Sequence, residues 1–250
     1  MGHMFKYILL GVVQGITEFL PVSSSAHLAI MQKLLGITGE ELVLSIVLHL
    51  GTLFSLVIFF FKDILSALSN KKLLSFILIT AVITGIIGFL GKDFFEKIFS
   101  STKLMAFALI CTGIILILTK NIKDAKRTKL DLKDAIILGF IQGIAVIPGI
   151  SRSGITISGL LFRKIERETS FRFCFLMAMP VILGAAALEA KDIGYALMLE
   201  PKHFIVGFIY SFLSGILSLS FLKIVLLKAK LYYFGYYCIS AAIFTLLFIR

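Results

Sequence analysis

The chain has 250 residues, 59% of them hydrophobic and 16% charged, with mean hydropathy +1.03, a net charge of +11 and three cysteines. A soluble domain carries about 25% charged residues, so a soluble globular protein is excluded, as are a disordered chain and a disulfide scaffold. A polytopic helical membrane protein remains. Its basic residues stand in short runs between apolar stretches, the pattern that records membrane orientation, and this argues against nucleic acid as a partner.

Taken in chain order, Met1-Gly2-His3-Met4 reads as a cloning remnant ahead of a start at Met4, with no cleavable signal peptide after it. Tyr7–Leu20 is apolar but short of the roughly 20 residues that crossing requires. It meets a polar break at Pro21-Val22-Ser23-Ser24-Ser25 and resumes as Ala26–Met31. Three spans are predicted next, Leu42–Phe61, Leu73–Gly91 and Leu104–Thr119, followed by a basic connector, Lys120–Lys133. Ala135–Ile147 then runs into Pro148-Gly149-Ile150-Ser151-Arg152-Ser153 and resumes as Gly154–Phe162. Three further spans follow, Phe173–Ala190 (with Pro180 predicting a kink), Phe204–Leu222 and Leu231–Ile249. Interrupted backbone at membrane depth survives only inside protein or beside a wet cavity, so each broken segment predicts a re-entrant hairpin. Cys111, Cys174 and Cys238 lie in apolar stretches without a CxxC pair and read as packing residues.

The two broken segments match at an offset of 128 positions: Gly11, Gln14, Gly15 and Ile16 fall on Gly139, Gln142, Gly143 and Ile144, and Ser23 and Ser25 fall on Ser151 and Ser153. One hairpin and three spans per half make the second half start on the opposite side, so the repeat is inverted and its site is expected near the midplane. The fold expected is an all-α integral membrane protein with six transmembrane helices and two re-entrant hairpins in one membrane domain. Repeat 1 covers about 4–120 with its hairpin at 7–31, and repeat 2 about 132–250 with its hairpin at 135–162. Of the 25 Lys and Arg, sixteen fall on one side and eight on the other, with Arg152 inside the second break. The positive-inside rule places the sixteen in the cytoplasm, so the N-terminus and first hairpin open outward.

Ionisable residues inside membrane segments are costly and therefore functional candidates; here they are Glu18, His27 and Arg152. Gln14 and Glu18 share a helix face and suit a hard divalent cation, Mg²⁺ or Ca²⁺; a helix–helix hydrogen-bond pair is the plainer alternative. Ser23, Ser24 and Ser25 supply hydroxyls that a neighbouring base, Glu18 or His27, could turn into a nucleophile, against hydroxyls that merely satisfy their own backbone. Arg152 between Ser151, Ser153 and Gly154, with Thr156 close behind, reads as an anion cradle suited to phosphate, against an Arg152–Glu18 pair kept for structure alone. His49 reads as a hydrogen-bonded structural histidine, Glu189 as interfacial and His203 as a loop residue. Together the tips suggest phosphate chemistry on an amphiphilic lipid.

Gln14 through His27 (QGITEFLPVSSSAH) resembles the first signature of the bacterial undecaprenyl-diphosphate phosphatases, the bacitracin resistance family, and Pro148 through Thr156 (PGISRSGIT) resembles the second. The resemblance extends to length, span number and motif placement. It implies removal of the terminal phosphate from the C55 isoprenoid diphosphate, recycling of the monophosphate carrier for peptidoglycan synthesis, bacitracin resistance, and dependence on Mg²⁺ or Ca²⁺. It also implies residence in the bacterial cytoplasmic membrane with the site facing outward. By the same resemblance Ser24 is the candidate nucleophile, His27 the general acid or base, Glu18 an acidic site residue and Arg152 the diphosphate clamp. Ser23, Ser25, Ser151, Ser153, Gly154 and Thr156 contribute to substrate binding. Gln14 stands where the family often has Glu, an accepted variant whose amide can ligate a metal but brings it no charge, and Ser25 stands where many relatives have Thr. The rival reading is a transporter or flippase of a phosphorylated lipid, built on the same inverted repeat. A second copy of the chain, as a homodimer, is the protein partner considered.

Overall fold

The computed structural model describes residues 2–37, 41–99, 101–188, 190 and 201–249. Among these the chain forms twelve α-helices and no strand. In chain order they are α1 (Gly2–Phe19), α2 (Ser24–Leu34), α3 (Glu41–Phe59), α4 (Phe61–Ser69), α5 (Lys71–Leu90), α6 (Lys92–Phe99), α7 (Thr102–Leu118), α8 (Leu132–Ile144), α9 (Arg152–Phe162), α10 (Arg167–Leu188), α11 (Pro201–Leu227) and α12 (Tyr232–Phe248). Four helices are long and apolar enough to cross a membrane: α5, α7 with its 3₁₀ extension to Asn121, α10 and α11. A fifth span arises if α3 and α4, bent by 75°, count as one. At 17 residues α12 is slightly shorter. The chain is thus a multi-pass helical membrane protein.

Several boundaries differ from the sequence reading. The third span borrows residues at both ends, starting at Thr102 and finishing in a 3₁₀ turn. The short helices α4 and α6 fall outside any predicted element. Their apolar faces are one-sided, as suits a helix lying along an interface. Pro180 leaves α10 a single helix. His203 is not in a loop but in the first turn of α11, its ring stacked on Tyr7 at 4.8 Å. Glu189 lies outside the described residues.

Both predicted breaks are present, and each is closed by partners from another helix. The first turns through Ser23, whose φ of 69° is unusual for a residue with a Cβ. Cys238 of α12 donates to Pro21 O at 3.4 Å. The second turns through Gly149 at φ 98°, where a Cβ would meet the Met105 carbonyl and lie 2.8 Å from Ala108 Cβ. Thr112 of α7 donates to Gly149 O at 3.1 Å and accepts from Ser151 N at 3.0 Å. One hydroxyl therefore satisfies both an orphan carbonyl and an orphan amide of the broken backbone, as burial requires. Ser151 then caps α9 by accepting from Gly154 N at 3.2 Å. At the other end of this hairpin, Asp131 and Asp134 form a capping box on α8. The fully buried Asp134 carboxylate is also gripped by Arg127 and Arg163.

Candidate active site

Glu18 ends the last full turn of α1 and is buried. Because α2 begins immediately after the break, Ser24 turns back onto it, and Ser24 Oγ donates to Glu18 Oε2 at 2.6 Å. Gln14, one turn earlier on the same face, donates from Nε2 to that oxygen at 3.1 Å. His49 of α3 brings Nε2 to 3.4 Å of it, with its Nδ1 held 2.7 Å from Ser45 O. Arg152, the first residue of α9, pairs with Glu18 Oε1. Four helices therefore converge on one carboxylate, and the two breaks meet there. Ser153 Oγ donates to Leu20 O at 3.4 Å, and a Cβ on Gly154 would lie 3.2 Å from Pro21 Cβ.

A cavity of about 280 Å³ opens over this meeting point. Of the residues expected from sequence, Glu18, Ser23, Ser24, Ser25, Ser151 and Arg152 line it. The others stand behind it. Gln14 reaches the site only through Glu18, Ser153 lies 3.3 Å from Ser151 Oγ, and Thr156 donates to Arg152 O at 2.6 Å with Cys174 Sγ 3.0 Å away. His27 is turned away: its Nδ1 lies 2.8 Å from the carbonyl of Ser23, so it must donate there, which leaves Nε2 to accept from the Tyr237 hydroxyl at 2.8 Å. Its ring also stacks on Tyr237 at 5.7 Å.

Sequence reasoning undervalued two residues. His49 reads from sequence as a structural histidine ahead of one packed near the site; it is hydrogen-bonded to Ser45 O and also touches Glu18. Gln142 also lines the cavity; its signal was present in the repeat, since it is the counterpart of Gln14. The plainer alternatives, the Gln14–Glu18 bond and the Arg152–Glu18 pair, are both formed, but they lie at the wall of the cavity.

A divalent cation fits these residues poorly. Among the described residues Glu18 is the one carboxylate on the cavity wall, and both its oxygens already accept from donors, one of them cationic. The buried Gln14 Oε1 has no partner, but an amide brings no charge. Among the described residues no three His, Cys, Asp or Glu side chains group as metal ligands. A hard cation held by protein alone needs more oxygen donors than this.

The cavity thus offers a hydroxyl on a carboxylate, beside an arginine and under a ring of serines, which suits phosphoryl transfer. Residues 7–244 match the family described as bacitracin resistance protein BacA. The chain is 41% identical over 245 residues to an undecaprenyl-diphosphatase of Halothermothrix orenii, covering 94% of each chain. It is 42% identical over 243 residues to that of Carboxydothermus hydrogenoformans, covering 94% of this chain and 93% of the relative. With the same enzyme of Alkaliphilus metalliredigens it shares 40% over 273 residues, 98% of each. The chain belongs to the bacitracin resistance protein BacA family.

Proposed function

We propose that this protein hydrolyses undecaprenyl diphosphate to undecaprenyl phosphate and inorganic phosphate, recycling the lipid carrier for peptidoglycan synthesis. The observation that carries the reading is the 2.6 Å bond from Ser24 Oγ to Glu18 Oε2 inside a cavity that also holds Arg152. Incoming diphosphate draws Arg152 from Glu18, since a guanidinium binds phosphate oxygens bidentately. Glu18, released from its cation, takes the Ser24 proton. Ser24 Oγ bonds to the terminal phosphorus and the bond to the bridging oxygen breaks, so the lipid leaves as the monophosphate. Water then attacks the phosphoserine, phosphate departs, and the proton returns from Glu18 to Ser24. Ser23, Ser25 and Ser151 donate to the phosphate oxygens. Ser153, Gly154 and Thr156 hold the second break in shape, and His27 fixes the first through Ser23 O rather than acting as the acid or base. A divalent cation, Mg²⁺ or Ca²⁺, would be held chiefly by the diphosphate oxygens and would neutralise their charge; Gln14 and Glu18 are the oxygen-bearing side chains that the sequence offers it, and the roles of Ser24, Glu18 and Arg152 do not depend on it.

In this reading the molecule is an inverted repeat of six spans and two re-entrant hairpins, divided at about 4–120 and 132–250, in the bacterial cytoplasmic membrane with the site facing outward. Equivalent bonds support it. On α8, Ala135 O and Gly139 O accept from Thr80 and Thr84 of α5 at 3.1 and 3.2 Å; on α1, Gly11 O and Ile16 O accept from Ser214 and Ser218 of α11 at 3.5 and 2.9 Å. Pro21 O and Gly149 O, 128 positions apart, each accept from the last helix of one half. Lipid substrate and bilayer are the partners in this reading, with a second copy of the chain as the protein partner considered.

The test is phosphate release from undecaprenyl diphosphate by the detergent-purified protein, with Mg²⁺ or Ca²⁺ supplied and then chelated. Release that stops on chelation is expected. Absence of release from folded protein under every metal condition would shift the function to binding or transport of the phospholipid.

A further inference from the structure

Gln142 is 1% exposed, lines the catalytic cavity, and has a carbonyl oxygen with no hydrogen-bond partner in the protein. Its amide cannot be turned over to cure this. Nε2 donates to Thr84 Oγ1 at 3.1 Å and lies 3.4 Å from Met177 O. Met177 O only accepts, and the Thr84 hydroxyl proton is already committed to the carbonyls of Thr80 at 2.8 Å and Gly139 at 3.2 Å. Both neighbours therefore require the NH₂ side, and Oε1 is held away from them. A buried acceptor left unsatisfied costs stability, and in polar sites ordered water supplies the missing donor. Ionised diphosphate has only acceptors to offer. A cation would need anionic ligands, and among the described residues Glu18 is the cavity's one carboxylate.

We infer that Gln142 Oε1 accepts a hydrogen bond from the water that completes hydrolysis, and so aims its lone pair at phosphorus. The inference rests on the phosphatase reading and deepens it. The serine step needs no help from Gln142; the water step gains from it, because Glu18 carries the Ser24 proton at that stage and the serine hydroxyls and Arg152 are directed to phosphate, which leaves the Gln142 carbonyl as an uncommitted acceptor at the cavity that His49 and Thr84 also line. The two glutamines of the repeat thereby divide the work, Gln14 holding Glu18 and Gln142 holding water.

The experiment uses the full chain in detergent and undecaprenyl diphosphate labelled on its terminal phosphate. Gln142→Leu keeps the volume and removes the acceptor. Its kcat is expected to fall about 100-fold, within the range seen when a positioned polar group is lost, with KM within threefold and unchanged divalent-cation dependence. Acid quench should trap labelled protein, and Ser24→Ala in the same chain should abolish the label. Thr84→Val, a gentler change that frees the amide to rotate, should lower kcat roughly tenfold with KM unchanged, and it keeps the test open if Gln142→Leu misfolds. A kcat loss without label at unchanged KM supports Gln142 but removes the serine nucleophile, since water then attacks the lipid diphosphate directly. A raised KM with kcat intact, a tenfold weaker response to the cation, or turnover within threefold of the parent would each overturn the inference.

Discussion

Arg152 and Glu18 hold each other, and the proposed exchange of this pair for a diphosphate shapes what single substitutions are expected to do. Arg152→Ala removes the clamp and also leaves Glu18 buried with an unbalanced charge, so phosphate release is expected to fall by at least about 10³-fold, beyond the loss of one neutral donor. Arg152→Lys should restore little, because an ammonium lacks the planar fork. Ser24→Ala should bring turnover close to background; near-normal turnover would leave Glu18 activating water directly. His27 contrasts with both. Its two nitrogens are engaged by Ser23 O and Tyr237, so Tyr237→Phe should loosen the first break and lower turnover only several-fold, measured as kcat at saturating lipid.

Among the elements, the closest approach is α1 against α11. A Cβ on Gly15 would collide with Ser214 Oγ and Ser211 O and lie 2.7 Å from Gly215 N. Gly15→Ala must push α1 outward, at about 1–3 kcal/mol for overpacking, and with it Glu18 three residues on. A lower melting temperature in detergent together with reduced turnover is expected. At the far end of the second hairpin, Asp134 is fully buried while its partners Arg127 and Arg163 are 34% and 27% exposed in their side chains. Asp134→Ala leaves the half-exposed Asp131 as the remaining carboxylate between the two arginines and opens the capping box. Breaking a buried pair costs about 3–5 kcal/mol, and the exposed arginines place this one at the low end. Chemical unfolding should register that loss, while the catalytic carboxylate keeps its partners.

Across the whole molecule the outer surface is apolar, with Phe89 at 81%, Leu90 at 78% and Leu188 at 85% exposure; hydrocarbon, not water, is the solvent for which these faces are made. The proposed orientation, with the first break facing outward, rests on the distribution of charge. In a Cys111→Ser background, which removes the exposed thiol, cysteines at Lys33 and Lys97 should react with an impermeant reagent added to intact cells. Cysteines at Lys71 and Lys126 should react only after permeabilisation. The opposite pattern would place the cavity in the cytoplasm.

Composition, charge runs and the 128-residue repeat are properties of the chain alone. They established a helical membrane protein, both breaks, and Glu18, the serines 23–25 and Arg152 as the residues of interest, because apolar length and interrupted periodicity are local signals; the choice of Ser24 among the serines came from the family resemblance. Span ends, α4 and α6 were less legible, since a bend or an interfacial helix depends on where bilayer and neighbours lie. Packing alone decided that Arg152 reaches Glu18 across 134 positions, that His49 joins them while His27 faces Tyr237, and that the buried carbonyl of Gln142, a residue lining the cavity, has no partner in the protein. A side chain's role there depends on which helix face meets which, and residues with the same local pattern take opposite directions once tertiary contacts choose their partners.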